Sequence, residues 1–289
     1  IFVDEAQDLS LIQWAMIKKI EEDTECDVWI AGDDDQAIFG WAGADVNSFI
    51  NWRSREILLT KSERVPSLVQ DKALRIIQRI PFNRIPKDYL PRDIFGNIYQ
   101  RYKINDIDMT KGDWLILTRT KSLLKPIPAF LKRKGLYFNT AQGNSIGKTL
   151  PEDIKTWNEF VQGLTPPDIQ RQRLEELTGE KNFNINLSWD QAFKNVALSK
   201  REYMRAMLNN EEDLSKPPRI KVSTIHGAKG GEATNVVLFL NQTANTIKGS
   251  KKSQAKAEEE FRVWYVGITR TMKNLFLIKS KNKLKEFKI

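Results

Sequence analysis

Ile1-Phe2-Val3-Asp4-Glu5-Ala6-Gln7-Asp8 is a short apolar strand that ends in a burst of carboxylates. Val28-Trp29-Ile30-Ala31-Gly32-Asp33-Asp34-Asp35-Gln36 repeats that plan, with an amide added at the end. Between them Leu9, Ile12, Met16 and Ile20 fall at helical spacing, so a helix over about 9–20 with one apolar face is expected. Strand, helix, strand is the pattern of a parallel sheet with helices on its faces. The turn after a buried strand projects its side chains past the sheet edge. A carboxylate there can hold Mg2+, which takes one or two protein oxygens plus phosphates and water. A second carboxylate beside it can accept the proton of an attacking water. The same residues also read as a strand followed by a solvated, acidic helix start, because Asp8 and Ser10 are good N-caps.

The alternation continues. Ile1–Val3, Val28–Ala31 and Ile57–Leu59 read as short buried strands, and Pro66–Ile80 as a helix with Pro66 tolerated in its first turn. Trp114–Leu117 and Tyr137–Asn139 are strands around a helix, Ile127–Lys134, that Gly135 stops. From about 150 to 218 the chain is helical and polar, punctuated by Pro166-Pro167, Gly179 and Pro217-Pro218. Strand signals return at Ile220–Thr224, Val236–Leu240 and Leu275–Ile278, with a helix over Ala255–Val266. Thr243 to Lys256, rich in Lys, Ser, Gln and Ala, reads as a mobile loop.

The 289 residues suffice for two lobes and a small insertion, and 40% hydrophobic residues provide a real core. The single cysteine, Cys26, excludes an internal disulfide framework and fits a reducing cytoplasm. No apolar run approaches the roughly 20 residues of a membrane span, so no membrane partner is expected. A formal charge of +9, from 46 Lys and Arg against 37 Asp and Glu, suits a polyanionic partner and equally a soluble basic surface. His226 is the only histidine, which excludes a His-cluster metal site and a Ser-His-Asp triad.

Five blocks, in order, resemble the motifs of UvrD/Rep/PcrA-type superfamily 1 DNA helicases. Asp4-Glu5-Ala6-Gln7-Asp8 is similar to motif II, and Gly32-Asp33-Asp34-Asp35-Gln36 with Trp41 to motif III. Leu59 to Val65 (LTKSERV) sits at the LxxNYRS block. Thr224-Ile225-His226-Gly227-Ala228-Lys229-Gly230-Gly231-Glu232 fits TxHxxKGxE, and Glu259 to Arg270 fits EExRxxYVxxTR.

The resemblance implies an α/β protein of two RecA-like parallel-sheet lobes, the first incomplete and the second interrupted by a small helical insertion. The expected boundaries are 1–60 for the first lobe, 61–149 and 219–289 for the second, and 150–218 for the insertion. It implies ATP and Mg2+ as cofactors. Asp4 would bind the metal, Glu5 polarise the hydrolytic water, and Gln36 sense the γ-phosphate. Arg64 and Arg270 would be arginine fingers, because an Arg fork makes bidentate phosphate contacts that Lys cannot. Glu232 stands at the ribose-contacting position, preceded by Gly230 in the nucleotide-binding set and by Gly231 where relatives carry an apolar residue. Trp41 is expected to stack on a base of single-stranded DNA. Thr224 and His226 would contact the DNA backbone, with Arg119 in a further DNA role. Asp33, Asp34 and Asp35 exceed what one Mg2+ takes and are expected to be partly structural. At the position of the adenine-stacking Tyr the chain carries Glu63, so base selectivity is relaxed or supplied elsewhere.

The expected activity is therefore an ATP-dependent helicase and translocase on single-stranded DNA and duplex junctions, moving 3′ to 5′, in repair or replication. Two alternatives stay open: a non-catalytic single-stranded DNA-binding or interaction module, and the motor part of a helicase–nuclease. Gly143-Asn144-Ser145-Ile146-Gly147-Lys148-Thr149 resembles a phosphate-binding loop but is one residue short, and reads as a turn. The true loop belongs before motif II, in a missing N-terminal part of the same protein. The stretch given is accordingly expected to be a C-terminal portion that hydrolyses ATP poorly by itself.

Overall fold

The computed structural model describes residues 1–52, 55–147 and 149–289. In chain order its first elements are β1 (Phe2–Val3), α1 (Leu11–Thr24), β2 (Trp29–Ile30), α2 (Val46–Ile50), β3 (Lys61–Pro66) and α3 (Ser67–Ile77). β4 (Leu90–Arg92), β5 (Asn97–Arg101), β6 (Trp114–Thr118), α4 (Lys121–Leu124), α5 (Pro126–Arg133), β7 (Phe138–Thr140) and β8 (Gly143–Asn144) follow. Then come α6 (Thr149–Val161), α7 (Asp168–Thr178), α8 (Trp189–Ala192), α9 (Leu198–Asn209), β9 (Ile220–Thr224), β10 (Ala233–Phe239), α10 (Ala244–Ser250), α11 (Gln254–Thr269) and β11 (Thr271–Ile278). The chain forms two compact units: Ile1–Ile107 with Asp113–Leu123 and Ser223–Ile289, and Asp108–Gly112 with Leu124–Val222.

The first unit holds parallel strands in the order β5-β11-β10-β6, with Val236 opposite both Leu115 and Leu275. Strands buried on both faces read as unbroken apolar runs. β6 and the centre of β10 are of that kind. α3 and α11 cover one face: Val69, Ala73, Ile76 and Ile77 from the first and Val263, Trp264, Val266 and Ile268 from the second join Leu115, Leu117, Val236 and Leu238 in one core. Fully burying each such aliphatic side chain stabilises by about 1.5–3 kcal/mol. Pro66 caps α3 in extended conformation, as its fixed φ allows.

The motif II and III segments also lie in this unit. β1 and β2 form a parallel pair, Phe2 opposite Trp29 and Val3 opposite Ile30. Ser10 and Gln13 close a capping box at the start of α1, Gln13 Oε1 accepting from the Ser10 N–H at 2.8 Å. The expected burial fails here. Phe2 is 86% exposed, and Ile12, Met16 and Ile20 of α1 are exposed as well. Trp14 is the buried side chain of this helix, packed on Trp52 with ring centroids 5.3 Å apart. Two two-residue strands offer too little sheet to cover a helix, and among the described residues no other layer lies over that apolar face.

Two further expectations are corrected. Ile57–Leu59 is not a strand: these residues are exposed, among the described residues no ladder partner lies beside them, and pairing begins at β3, where Lys61 lies opposite Leu90 of β4. Thr243 to Lys256 is not an open loop. Thr243 Oγ1 accepts from the Thr246 N–H at 3.2 Å and starts α10, and Ser253 caps α11 in the same way.

The second unit is mainly helical. β7 pairs in parallel with β9, Phe138 opposite Ile220, and antiparallel with β8. Trp157 of α6 is its aromatic centre, edge-on to Phe183 and Phe193, with its indole N–H donating to the Leu187 carbonyl at 3.2 Å. Gly135 (φ 62°) ends α5 where a Cβ would strike Ala206 of α9. The turn at Gly143–Gly147 is the β8 hairpin and its exit, with Gly143 and Gly147 at positive φ; Lys148 lies outside the described residues.

Candidate functional site

Two cavities of the first unit gather the motif residues. One, of about 350 Å3, is lined by Gln36, Arg64, Gln70, Tyr89, Glu232 and Arg270, with Glu63 at its rim. Arg270 follows α11 and is 1% exposed. Its guanidinium donates from Nη2 to Gln36 Oε1 at 3.0 Å and from Nε to the Val266 carbonyl at 3.1 Å. Burial, reinforced by the charge of Arg64, pushes Arg270 down to about 10, so it remains a cation at neutral pH. Arg64, on β3, is held by an ion pair with Glu232. Two guanidiniums that repel each other across one cavity make a site for an anion with several oxygens. Gly230 has φ 79°, the left-handed turn that delivers Glu232 to this wall.

Asp4 and Glu5 do not line that cavity. Both are exposed at the end of β1, and Glu5 has φ 52°, unusual for a residue with a side chain. The Glu5 carboxylate nevertheless lies close enough to Arg270 to oppose the fall of its pKa. Asp4 Oδ1 accepts from the Glu5 N–H at 2.8 Å. Glu5 Oε2 receives two donors, Gln7 Nε2 and Lys229 Nζ, the latter at 3.0 Å. Among the described residues no group of three or more His, Cys, Asp and Glu forms a metal cage. The single carboxylate of Asp4 fits Mg2+, which is held by few protein oxygens and completed by phosphates and water.

The run Asp33-Asp34-Asp35 is a buried ion network. Asp34 and Asp35 are fully buried. Arg84 grips Asp35 with both prongs, Nε to Oδ1 at 2.7 Å and Nη2 to Oδ2 at 2.9 Å. Lys87 Nζ reaches Asp33 at 2.7 Å and Asp35 at 3.3 Å, and also pairs with Asp34. The Tyr89 hydroxyl lies 3.0 Å from both Asp33 and Asp35. Arg262 of α11 donates to the Asp34 carbonyl at 2.8 Å. Burial alone would raise Asp33, but the Lys87 charge and hydrogen bonds outweigh it and the pKa falls; Asp34 moves up, because burial dominates there. Asp33 also accepts from Gln36 Nε2 at 2.8 Å, so the network fixes the amide that Arg270 uses.

The second cavity, of about 410 Å3, brings Trp41, Arg119, Thr224 and His226 together with Lys121 and Lys256. Trp41 is 67% exposed and stands edge-on to His226, centroids 6.4 Å apart. Burial, then the charge of Arg119, pushes His226 down to about 4, so the ring is neutral at physiological pH. Arg119 is forked onto Glu260, Nε at 3.0 Å and Nη2 at 2.8 Å from Oε2, and Glu260 also accepts from Trp264 Nε1 at 2.7 Å. Thr224 Oγ1 accepts from the Gly227 N–H at 3.1 Å.

Several residues that the motifs did not single out shape these sites. Arg84 and Lys87 carry no local pattern that marks them as partners of acids some 50 positions away. Gln70 is buried with Nε2 unpartnered; its only sequence signal is an amide among the apolar residues of α3. Lys229, inside a motif block, pairs with Asp8 as well as Glu5.

Parallel strands flanked by helices, with acids and arginines at their ends, define an α/β protein of the RecA-like kind. The UvrD/REP helicase N-terminal domain matches residues 1–55, and the UvrD-like helicase C-terminal domain matches residues 163–282. The chain belongs to the UvrD-like helicase family. It is 50% identical over 202 residues to DNA helicase II of Salmonella typhimurium, covering 68% of this chain and 27% of that protein. It is 25% identical over 191 residues to the ATP-dependent DNA helicase PcrA of Bacillus subtilis, covering 58% and 25%. Against a probable DNA helicase of Mycoplasma pneumoniae the identity is 23% over 282 residues, covering 96% and 43%. The chain thus spans between a quarter and less than half of the length of these relatives. No helix among the described residues is long and apolar enough to cross a membrane.

Proposed function

We propose that this chain belongs to an ATP-driven DNA helicase that translocates on single-stranded DNA, 3′ to 5′, and opens duplex junctions in a reducing, cytoplasmic setting. One observation carries the reading: the buried Arg270 donates to Gln36 at 3.0 Å beside a cavity that also receives Arg64 and Glu232. A terminal phosphate of ATP in that cavity meets two guanidiniums and an amide. Phosphoryl transfer depends on such positioning, since charge accumulates on the outer phosphate oxygens. Asp4 would hold Mg2+, whose charge would offset that of the phosphates. Glu5 orients the attacking water and takes its proton. Glu232 exchanges its ion pair with Arg64 for the ribose, which frees Arg64 for phosphate. Gly230 keeps that turn open.

At the other cavity Trp41 offers a π face to a base, a contact worth about 1–3 kcal/mol and indifferent to sequence. Thr224 and the neutral His226 serve the DNA backbone as hydrogen-bonding groups. Arg119, already neutralised by Glu260, shapes the wall and adds little free charge. Glu63 in place of an aromatic removes base stacking at the rim of the nucleotide cavity, so nucleotide choice rests on phosphate and ribose and is broad. The test is an ATPase assay of the full-length protein with and without single-stranded DNA. Turnover that rises with DNA supports the motor. DNA binding without turnover under any condition refutes it.

A further inference from the structure

The loop Thr224–Glu232 touches both cavities: Thr224 and His226 line one, and Glu232 lines the other. Midway stands Lys229, its side chain only 8% exposed, with three neighbours. Its ammonium lies 3.0 Å from Glu5 Oε2, is paired with Asp8 Oδ2, and sits 5.4 Å from the centre of the Phe39 ring. Phe39 in turn abuts Trp41, with centroids 6.4 Å apart, and His226, at 6.2 Å. The groove aromatics, this cation and the carboxylate of motif II form one continuous chain.

We propose that Lys229 is a positioning residue that holds Glu5 while the Trp41–His226 groove is free of DNA and releases it when a base stacks there. The inference rests on Glu5 being the base of the proposed reaction. An ammonium and an amide on one oxygen compete with the attacking water for that carboxylate. Release has a destination. Asp8 Oδ1 is buried without a partner, so the lysine can leave Glu5 and take both oxygens of Asp8 without becoming an unpaired buried cation. The exposed Glu5 then returns to solvent and to the nucleotide at little cost. A base on Trp41 displaces its neighbour Phe39, the ring that seats the ammonium, which supplies the bias between the two seats.

A simple structural ion pair predicts loss of activity when Lys229 is removed; a latch predicts gain. In Lys229→Met of the full-length protein, the DNA-free kcat rises at least about fivefold, a typical lower bound for coupling between sites. Stimulation by oligo(dT) falls by the same factor, and KM for ATP is unchanged. Burial raises the Asp8 carboxyl and Lys229 lowers it, so Lys229→Met moves that carboxyl further up. Lys229→Arg restores part of the stimulation. Asp8→Asn, which removes the second seat, leaves the lysine on Glu5 and abolishes stimulation. Stacking has to move the lysine off Glu5, so removing that cost in Lys229→Met also raises the nucleotide-free affinity for oligo(dT). Wild-type stimulation retained unchanged in both Lys229→Met and Asp8→Asn overturns the latch alone. A wild-type protein without any ATPase overturns the motor reading and the latch with it.

Discussion

Removing the Trp41 indole separates recognition from packing. The ring is 67% exposed, and its ring neighbours, Phe39 and His226, stand at angles of 60° and 71° with centroids 6.4 Å away. Little of it is buried, so Trp41→Ala should cost the fold no more than about 0.5 kcal/mol, as at other exposed positions. The loss of a stacked base costs about 1–3 kcal/mol, and 1.4 kcal/mol is tenfold, so affinity for single-stranded DNA should weaken roughly 5- to 150-fold. The assay is fluorescence anisotropy of a labelled oligo(dT) at one fixed salt concentration, since phosphate contacts make any affinity salt-dependent. Trp41→Phe keeps a π face and should recover most of the binding. The slope of affinity against salt should not change, because no cation is removed. Unchanged affinity together with a lower melting temperature would refute the reasoning and return Trp41 to the core.

Three further outcomes follow from the same geometry. Glu5→Gln in the full-length protein should abolish DNA-stimulated ATPase while binding of a fluorescent ATP analogue persists; sustained turnover would remove Glu5 from the role of base. Arg84→Met strands the buried carboxylate of Asp35, and breaking a buried pair typically costs about 3–5 kcal/mol, to be read from urea unfolding at neutral pH. A wild-type unfolding midpoint would show that Lys87 alone neutralises the network. His226 is shifted from 6.5 down to about 4, so between those values the unfolded chain binds more protons than the folded one. Stability therefore falls as pH drops from about 6.5 toward about 4, by up to about 3 kcal/mol before solvent screening. His226→Gln should flatten that part of the pH–stability curve, and an unaltered slope would assign it to carboxylates instead.

The sequence carried the α/β alternation because runs such as Trp114–Leu117 and the face of α3 are apolar at strand or helix period. It misplaced the strand at Ile57–Leu59 because an apolar triplet fixes hydrophobicity but not pairing; the partner β4 lies beside Lys61 instead. It read Thr243–Lys256 as open chain because composition outweighed two short-range caps, at Thr243 and Ser253. In the sites, the motif spacing anticipated the gathering of Gln36, Arg64, Glu232 and Arg270 and of Trp41, Arg119, Thr224 and His226. It did not reveal which charges pair. Arg84 with Asp35, Arg119 with Glu260 and Lys229 with Asp8 are separated by 49, 141 and 221 positions, and only the fold brings them together.

Those pairings indicate where motion is possible between the two cavities. α11 carries Glu260 at the groove and is capped by Arg270 at the nucleotide cavity, and ten residues of helix span about 15 Å. Its buried side chains, Val263, Trp264, Val266 and Ile268, lock it onto the sheet, and Arg262 ties it to the Asp34 carbonyl. A rod packed in this way keeps the cavities at a fixed separation and has no second arrangement to adopt. The loop Thr224–Glu232 runs between the same cavities with only Ile225 and Ala228 in that core: Gly227 and Gly230 are exposed, and Gly230 needs a left-handed turn. Coupling between sites requires an element with two states of similar energy. Of the two routes, the loop carries the one proposed above, in the move of Lys229 from a seat shared by Glu5 and Asp8 to both oxygens of Asp8. Stiffening the loop with Gly227→Ala should then reduce DNA stimulation more than either DNA affinity or KM for ATP, because the Cβ would meet the Ser223 hydroxyl at 2.7 Å. Equal losses in all three quantities would instead identify a general distortion of the site.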